Sequence, residues 1–428
     1  MYLSKIEKEI ALLETLKMKE IRRLPLSVLW KIRSLLKEEK LTRIDGKVVV
    51  NSFLPPFPSE AFNGLGRSIQ GLMEHKAIPV SAYISVTSKC RYNCWHCSKT
   101  QRTGEDMSLE TILSAVKDLQ EMGVCIVGFT GGEPMLRDDM ADIIGSLDDR
   151  SVSILFTSGD GVTEQKGREL KKRGLFGAAI SLDHYEPAIH DERRGKKGAF
   201  ETALNAIRIF KDNGMYTMIQ LVATKDMAND QAFEHYLDLA GNLGVHEIRL
   251  LEPMPTGNLI GCARKCMLNY GERAALRQLH IRTNNQADIT KVCAFAHIEH
   301  KELYGCGAGF QHLYIDAQGN VCPCDFTPVS FGNIGKESIA VIWSRLNKAF
   351  GRPGCKCFLM ENVDTLNEAF TGTLPIEYSK VRHSCRFPKG GELPEYYRML
   401  GWENECNCAS VSSLHGEGVS RAFACSKA

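Results

Sequence analysis

The chain has 428 residues, of which 43% are hydrophobic and 24% are charged, so it can bury a large core. Its 53 lysines and arginines nearly balance its 51 aspartates and glutamates, and a net charge of +2 predicts no nucleic-acid partner. The sequence holds neither an apolar run of about 18 residues nor a signal-peptide pattern, so we expect a cytoplasmic protein.

The first 80 residues predict a helical extension that ends in an irregular linker. Residues 21–40 read IRRLPLSVLWKIRSLLKEEK and place apolar side chains at helical spacing beside many basic ones. A basic amphipathic helix of this kind packs on its own domain or lies on a membrane surface, where Trp30 suits the interface. Both roles stay open, including a peripheral membrane contact through residues 21–40.

The next segment, residues 81–260, predicts six β/α units. A helical pattern such as 108–123, which Ser108 can cap and Gly123 can end, separates one strand from the next. A repeated β–α order indicates a parallel sheet, and six units fit a partial (β/α)6 TIM-type barrel that binds ligands at the carboxyl ends of its strands. The predicted strands are 81–87, 123–130, 152–157, 176–182, 216–223 and 246–251.

Cysteine is unusually frequent, with sixteen copies. In a reducing compartment, thiols favour metal ligation or catalysis over disulfides. Cys90, Cys94 and Cys97 follow the first predicted strand, and soft thiolates suit iron–sulfur clusters or zinc. Three thiolates are one short of a closed site, so either a non-protein ligand completes it or His96 or a distant residue completes a zinc knuckle. Cys125, inside an apolar strand, is predicted to be a core residue.

A glycine pair follows the second predicted strand, in GFTGGEP at residues 128–134. Together with Cys90-x3-Cys94-x2-Cys97, this segment resembles the radical S-adenosylmethionine (SAM) superfamily. The resemblance implies that the three cysteines hold a [4Fe–4S] cluster whose fourth iron is chelated by SAM.

The same resemblance extends over roughly residues 81–260 and implies a set of SAM contacts, but no separate catalytic residue. The glycine pair and the glutamate after it match the segment that binds the methionyl amine, and the histidine of the cysteine motif matches a position near the adenine. In ISLDHYEPAIHDERRGKKGAF, residues 180–200, a serine and one of two adjacent arginines are candidates for the SAM carboxylate and ribose. The residues so assigned are His96, Gly131, Gly132, Glu133, Ser181, Arg193 and Arg194.

The C-terminal cysteines resemble the SPASM extension, an auxiliary iron–sulfur module. Cys306, a hairpin turn at Gly319 and Cys324 match its opening pattern, whereas the later cysteines depart from the expected tight run. The resemblance implies one auxiliary [4Fe–4S] cluster and leaves open a second, to which Cys262, Cys266 and Cys293 could contribute. The candidate auxiliary ligands are Cys306, Cys322, Cys324, Cys355, Cys357 and Cys385, while Cys406, Cys408 and Cys425 are unassigned.

Three segments are therefore expected: a helical extension over 1–80, a radical SAM core over 81–260 and a cysteine-rich SPASM-like domain over 261–428. By family chemistry, an electron from a donor such as ferredoxin or flavodoxin splits SAM, and the resulting 5′-deoxyadenosyl radical takes hydrogen from an unactivated carbon. A peptide or protein is the first substrate class, because auxiliary clusters of this kind are common among enzymes that modify peptides. A lipid, a tetrapyrrole or another small metabolite stays open, as does a non-enzymatic iron–sulfur scaffold or electron carrier.

Overall fold

The computed structural model describes residues 2–228, 230–262, 266–388 and 391–403. The strands are β1 Thr42–Ile44, β2 Lys47–Val49, β3 Ser81–Ser85, β4 Ile126–Thr130, β5 Val152–Thr157, β6 Gly177–Ser181, β7 Tyr216–Val222, β8 Glu247–Leu251, β9 Lys291–Ala294, β10 His312–Ile315, β11 Val321–Cys322, β12 Val329–Ser330 and β13 Ile376–Glu377. The helices are α1 Lys5–Glu14, α2 Leu26–Leu35, α3 Glu60–Met73, α4 Leu109–Glu121, α5 Met140–Gly145, α6 Glu164–Lys172, α7 Pro187–Arg194, α8 Ala199–Asp212, α9 Asp230–Leu243, α10 Tyr270–Asn284, α11 Phe295–Ile298, α12 Ile339–Phe350, α13 Phe358–Glu361, α14 Val363–Ala369, α15 Tyr378–Val381 and α16 Glu395–Met399.

One sheet of nine strands organises the chain, in the order β11-β10-β3-β4-β5-β6-β7-β8-β9. The six central strands, β3 to β8, are the six predicted ones, and all pair in parallel, which confirms the expected α/β class. Strands β9 and β10 extend the sheet in parallel at its two edges, and β11 adds one antiparallel strand. These three strands come from beyond residue 260, so the sheet includes residues on both sides of the domain boundary predicted at 260/261. That boundary stays a proposal.

Helices cover one face of this sheet, and the N-terminal segment covers the other, here called the inner face. Side chains alternate along each strand, so on β3 Ile84 lies among the helices and Tyr83 lies on the inner face. The inner face packs against apolar residues of the first 80, among them Val48, Val49, Val50, Phe57, Phe62 and Leu65. The extension is therefore part of the same core as the sheet.

Buried polar contacts also anchor the extension. Ser52 donates from its hydroxyl to Glu247 Oε1 at 2.5 Å, and Tyr216 donates to Glu247 Oε2 at 2.9 Å. Lys291 Nζ lies 3.6 Å from the same carboxylate, while Arg249 donates to Ser52 Oγ at 2.7 Å. Removing one partner of such a group leaves a buried charge uncompensated, at a cost of about 3–5 kcal/mol. These contacts hold the N-terminal segment against β8 and β9.

The amphipathic helix is shorter than the pattern over residues 21–40 predicts. It covers Leu26–Leu35 and begins directly after Pro25, while Ile21–Arg23 forms a separate single turn. A proline fixes its own backbone and disfavours helix in the residue before it, so a helix starts after Pro25 more easily than it continues through it. Another helix, α1, precedes α2 in the chain.

Candidate active site

A cavity of about 480 Å³ lies at the carboxyl ends of the central strands. The loops after β3, β4 and β5 and the ends of β6 to β8 contribute its walls. The structure brings together here eight of the residues that the sequence assigned to the front cluster and to SAM: Cys90, Cys94, Cys97, His96, Gly131, Gly132, Ser181 and Arg194. Glu133 and Arg193 do not line this cavity.

The turn that leads from β3 into the cysteine loop is held by Asp106. Its carboxylate accepts hydrogen bonds from Thr87 Oγ1 at 2.6 Å, from Ser88 N at 2.9 Å and from Ser88 Oγ at 2.6 Å. Hydrogen bonds to a carboxylate are stronger than those between neutral groups. Asp106 therefore fixes the direction in which the loop leaves the strand, a role that no motif indicated.

A second support comes from the segment after β8. Asn258 donates from its backbone to Cys97 O at 2.9 Å and from its side chain to Cys94 O at 2.8 Å. Gly257 precedes it with a φ of +58°, and a Cβ there would overlap Cys97 O. Only glycine combines this conformation with so close an approach. The cysteine loop is thus held from both sides of the cavity mouth.

Arg194 and Asp183 form a buried ion pair beside the cysteines, with Nε and Oδ2 2.8 Å apart. Arg194 Nη1 also donates to Cys94 Sγ at 3.6 Å, which places a positive charge next to that sulfur. His96 Nδ1 lies 4.0 Å from Asp183, but burial lowers the pKa of His96 to about 4, so its ring is neutral at pH 7. Asp183 thus pairs with Arg194 and lies near His96, and sequence reasoning missed it because these two residues are far apart in the chain.

Of the two candidate arginines, Arg193 points away from the cavity. It donates to Asp183 O at 3.0 Å and to Thr224 Oγ1 at 3.4 Å. Its neighbour in sequence, Arg194, lines the cavity instead. The structure therefore separates two residues that the sequence could not tell apart.

Glu133 lies behind the glycine pair and is almost completely buried. Its carboxylate accepts from Met135 N at 3.0 Å, Thr157 Oγ1 at 2.6 Å, Ser158 N at 2.7 Å and Ser158 Oγ at 2.6 Å. The three bonds from Thr157 and Ser158 tie the loop after β4 to the end of β5 and the loop that follows it. The contact between Glu133 and a SAM ammonium stays a prediction.

We expect Glu133→Ala to weaken SAM binding by roughly 10- to 150-fold, since a charge-assisted contact is worth about 1.5–3 kcal/mol. Thr157→Val removes one neutral donor to the same carboxylate and should cost less than about tenfold. Calorimetric titration with SAM, beside iron and sulfide analysis, measures both. Loss of iron from Glu133→Ala with unchanged SAM affinity would show that Glu133 only ties the loops together.

A second cysteine group lies outside this cavity. Cys306, Cys324 and Cys357 line one wall of a larger cavity, and the Cys357 thiol donates a hydrogen bond that lowers the pKa of Cys306 to about 6. The backbone explains the convergence. Cys306 N donates to Gly354 O at 2.9 Å, and Gly309 N donates to Pro323 O at 3.0 Å, so the stretches around residues 306, 323 and 355 lie side by side.

The other candidate auxiliary ligands lie elsewhere in the structure. Cys322 is buried on the inner face of the sheet, Cys355 donates to Glu392 O at 3.2 Å, and Cys385 packs in the core on the helical face. The sulfur atoms of Cys262 and Cys266 are in direct contact with each other, and neither residue lines either cavity. Cys293 and Cys125 are fully buried, as expected for Cys125, whereas Cys406, Cys408 and Cys425 lie outside the described residues.

The larger cavity has a volume of about 960 Å³ and an overwhelmingly apolar lining. Apolar side chains of α1, α2 and α3 line it, as does the group of Cys306, Cys324 and Cys357. The two cavities share six wall residues, namely Tyr83, Glu252, Met254, Phe295, Asp325 and Phe326. The two cavities are therefore neighbours, separated by these residues.

Both sites suit iron–sulfur clusters by the chemistry of their donors. Each presents three thiols on the wall of one cavity, and thiolate is the ligand that these clusters take. At the front site a Cβ on Gly132 would overlap Lys89 O, so only glycine lets the loop after β4 pack directly against the start of the cysteine loop. Cys90, Cys94 and Cys97 would hold the front cluster, and Cys306, Cys324 and Cys357 an auxiliary one.

Comparisons with known proteins agree with this arrangement. Residues 84–240 match the family model of the radical SAM superfamily, and residues 306–358 match that of the SPASM iron–sulfur cluster-binding domain. An AdoMet-dependent heme synthase of Nitratidesulfovibrio vulgaris is 24% identical over 327 residues, which are 70% of this chain and 85% of that protein. A PqqA peptide cyclase of Streptomyces rochei is 25% identical over 277 residues, which are 62% of this chain and 75% of that protein.

A solved structure supports the fold. Streptococcus suis SuiB bound to S-adenosylmethionine superimposes with a TM-score of 0.53 at 16% identity, covering 66% of this chain and 70% of SuiB. The radical SAM domain implies a [4Fe–4S] cluster and SAM, and the SPASM domain implies auxiliary iron–sulfur clusters. The chain is a radical SAM enzyme with a C-terminal SPASM domain.

Proposed function

We propose that this enzyme abstracts hydrogen from an unactivated C–H bond of a lipid-like substrate, whose apolar chain occupies the larger cavity. That cavity is the observation that carries the proposal. Pockets of roughly 300–1,000 Å³ hold whole small-molecule ligands, and apolar walls favour an apolar occupant. The sequence ranked a peptide first, but the cavity favours the lipid alternative.

The residues of this chain hold the substrate, exclude water and keep the two cavities in contact. When bound, SAM and the front cluster supply a 5′-deoxyadenosyl radical. The wall shared by the cavities is where a substrate carbon would meet it. Met254, Phe295 and Phe326 form the apolar part of that wall, and Glu252 and Asp325 its acidic part.

A polar group of the substrate would lie near Glu252, which also borders both cavities. Glu252 pairs with Arg273 at 2.7 Å, and burial raises the pKa of Glu252. A buried carboxylate beside an otherwise apolar wall can accept a hydrogen bond from a hydroxyl or an amine. We therefore place the substrate's polar end at Glu252 and its apolar chain toward α1 and α2.

The proposal predicts that a fluorescent fatty acid, cis-parinaric acid, binds the protein and that Leu29→Trp weakens this binding by roughly 5- to 150-fold. Leu29 lines the cavity, and a larger ring there overfills it at a cost of about 1–3 kcal/mol. The matched control is Leu35→Trp, which lies on the same helix and does not line the cavity. Equal binding by both variants, or none by the unaltered protein, would contradict an apolar ligand.

Two other substrate classes have support from relatives. Heme synthases match this chain, which favours a tetrapyrrole, and SuiB is known bound to its precursor peptide SuiA, which favours a peptide. Mass spectrometry of an organic extract of the purified protein separates the three classes. A co-purifying acyl chain supports the proposal, whereas a porphyrin with its visible absorption band or a peptide overturns it.

We also propose ferredoxin or flavodoxin as electron donor, a cytoplasmic location and a membrane contact through residues 21–40. The nearly neutral chain and the absence of an apolar run of spanning length support the location. Reduction of the front cluster requires an electron from outside the chain. The support for a membrane contact is the amphipathic helix α2.

A further inference from the structure

The two N-terminal helices expose an apolar surface. On α1, Ile6, Ile10 and Leu13 follow one another at helical spacing and are 75%, 53% and 62% exposed. On α2, Leu26 and Trp30 are four residues apart and 81% and 69% exposed. Apolar side chains clustered in this way mark an interaction surface more often than isolated ones do. With Leu16, these residues form what is here called the apolar face: Ile6, Ile10, Leu13, Leu16, Leu26 and Trp30.

This face surrounds the mouth of the apolar cavity. Leu13, Leu16, Leu26 and Trp30 are exposed and at the same time line the cavity. The cavity therefore opens to solvent among the residues of α1 and α2. Whatever covers the apolar face also closes or feeds this opening.

The charge around the apolar face indicates what kind of partner binds it. Residues 2–40 carry ten lysines and arginines against six glutamates, a net charge of +4, whereas the whole chain has a net charge of only +2. Eight of these cations are exposed, and five of the eight pair with a glutamate of the same segment. The exposed cations are Lys5, Lys17, Lys19, Arg22, Arg23, Lys31, Arg33 and Lys37. Basic side chains are attracted to anionic lipid headgroups, and apolar side chains insert among the acyl chains beneath them.

We propose that the apolar face docks on an anionic lipid bilayer, so that a lipid passes from the bilayer through the opening into the cavity without crossing water. None of the helices in the described residues combines the length and apolar composition needed to span a bilayer, so the contact is peripheral. Docking follows from the surface alone. Passage of a lipid rests on the proposed function.

Co-sedimentation of the cluster-loaded, full-length protein with vesicles tests the docking. We expect binding to phosphatidylglycerol vesicles at low salt, little binding to phosphatidylcholine vesicles, and loss of binding at high salt, because ions screen the attraction. The double variant Leu26→Ser/Trp30→Ser should bind at least about tenfold more weakly. Both side chains are exposed, so the fold does not depend on them.

The matched control is Tyr270→Ser/Val341→Ser, which removes two exposed apolar side chains outside α1 and α2. It should bind vesicles as the unaltered protein does. Equal loss in both double variants, equal binding by both, or no binding at low salt would overturn the docking and favour a protein partner for this face.

Co-sedimentation with vesicles and mass spectrometry of the organic extract together distinguish the bilayer docking from the lipid substrate. Vesicle binding without any acyl chain in the extracted ligand would overturn the lipid substrate and leave the docking intact. A bound acyl chain in a protein that ignores anionic vesicles would overturn the docking and leave the lipid substrate intact.

Discussion

Replacement of Cys90, Cys94 and Cys97 together by alanine is expected to abolish formation of 5′-deoxyadenosine. These thiols line the cavity to which the sequence assigned SAM, and no SAM can be cleaved without a cluster to supply the electron. About half of the iron should remain on the auxiliary site, because a [4Fe–4S] cluster holds four irons and Cys306, Cys324 and Cys357 are unchanged. Chromatography of the nucleoside product beside iron analysis measures both effects.

The control for this variant is Cys125→Ala. Cys125 is fully buried, precedes β4 and lines neither cavity. It should keep both iron content and product formation. Continued cleavage of SAM by the triple variant would mean that the front cysteines do not hold the catalytic cluster.

Replacement of Cys306, Cys324 and Cys357 by alanine should remove the auxiliary iron and abolish substrate turnover, while cleavage of SAM without substrate continues. Cleavage should continue because the two groups of thiols line different cavities, the auxiliary cysteines the apolar one and the front cysteines the other. Iron should fall from about eight to about four per chain. Electron paramagnetic resonance of the reduced protein should then show one cluster signal instead of two.

Its control is Cys355→Ala/Cys385→Ala, a pair that the sequence also named as ligands. Neither Cys355 nor Cys385 lines the cavity that the trio lines, and the Cys355 thiol donates to a backbone carbonyl. This pair should keep its iron. If it lost the same iron as the trio variant, the grouping of the auxiliary cysteines in this structure would be wrong.

The central sheet and the front site were predictable because their signals are local. A strand or a helix is specified by the period of its own apolar residues, and all six predicted strands are found within a few residues of their bounds. The front cysteines lie within eight positions of one another, so one loop brings them together whatever the rest of the chain does. The helix start at Ser108 was equally local, as its hydroxyl accepts from Thr111 N at 3.2 Å.

Distant contacts were not predictable in this way. The choice of Cys306, Cys324 and Cys357 over their neighbours depends on how a hairpin and a later turn lie beside each other. Arg194 meets Cys94, 100 residues earlier in the chain, only in the folded protein. Glu133 likewise accepts hydrogen bonds from Thr157 and Ser158, which belong to the end of a different strand and the loop after it.

By itself, then, the sequence determined the parallel α/β core, the ends of its strands and the first cluster motif, since each depends on residues close together in the chain. Only the tertiary structure decided that the N-terminal segment packs on the inner face of the sheet and that an apolar cavity opens between its helices. An amphipathic pattern states that a helix has an apolar side, but not what that side meets. On α2, Val28 packs in the core, whereas Leu26 and Trp30 are exposed to solvent. Only part of the helix's apolar surface packs against the rest of the protein.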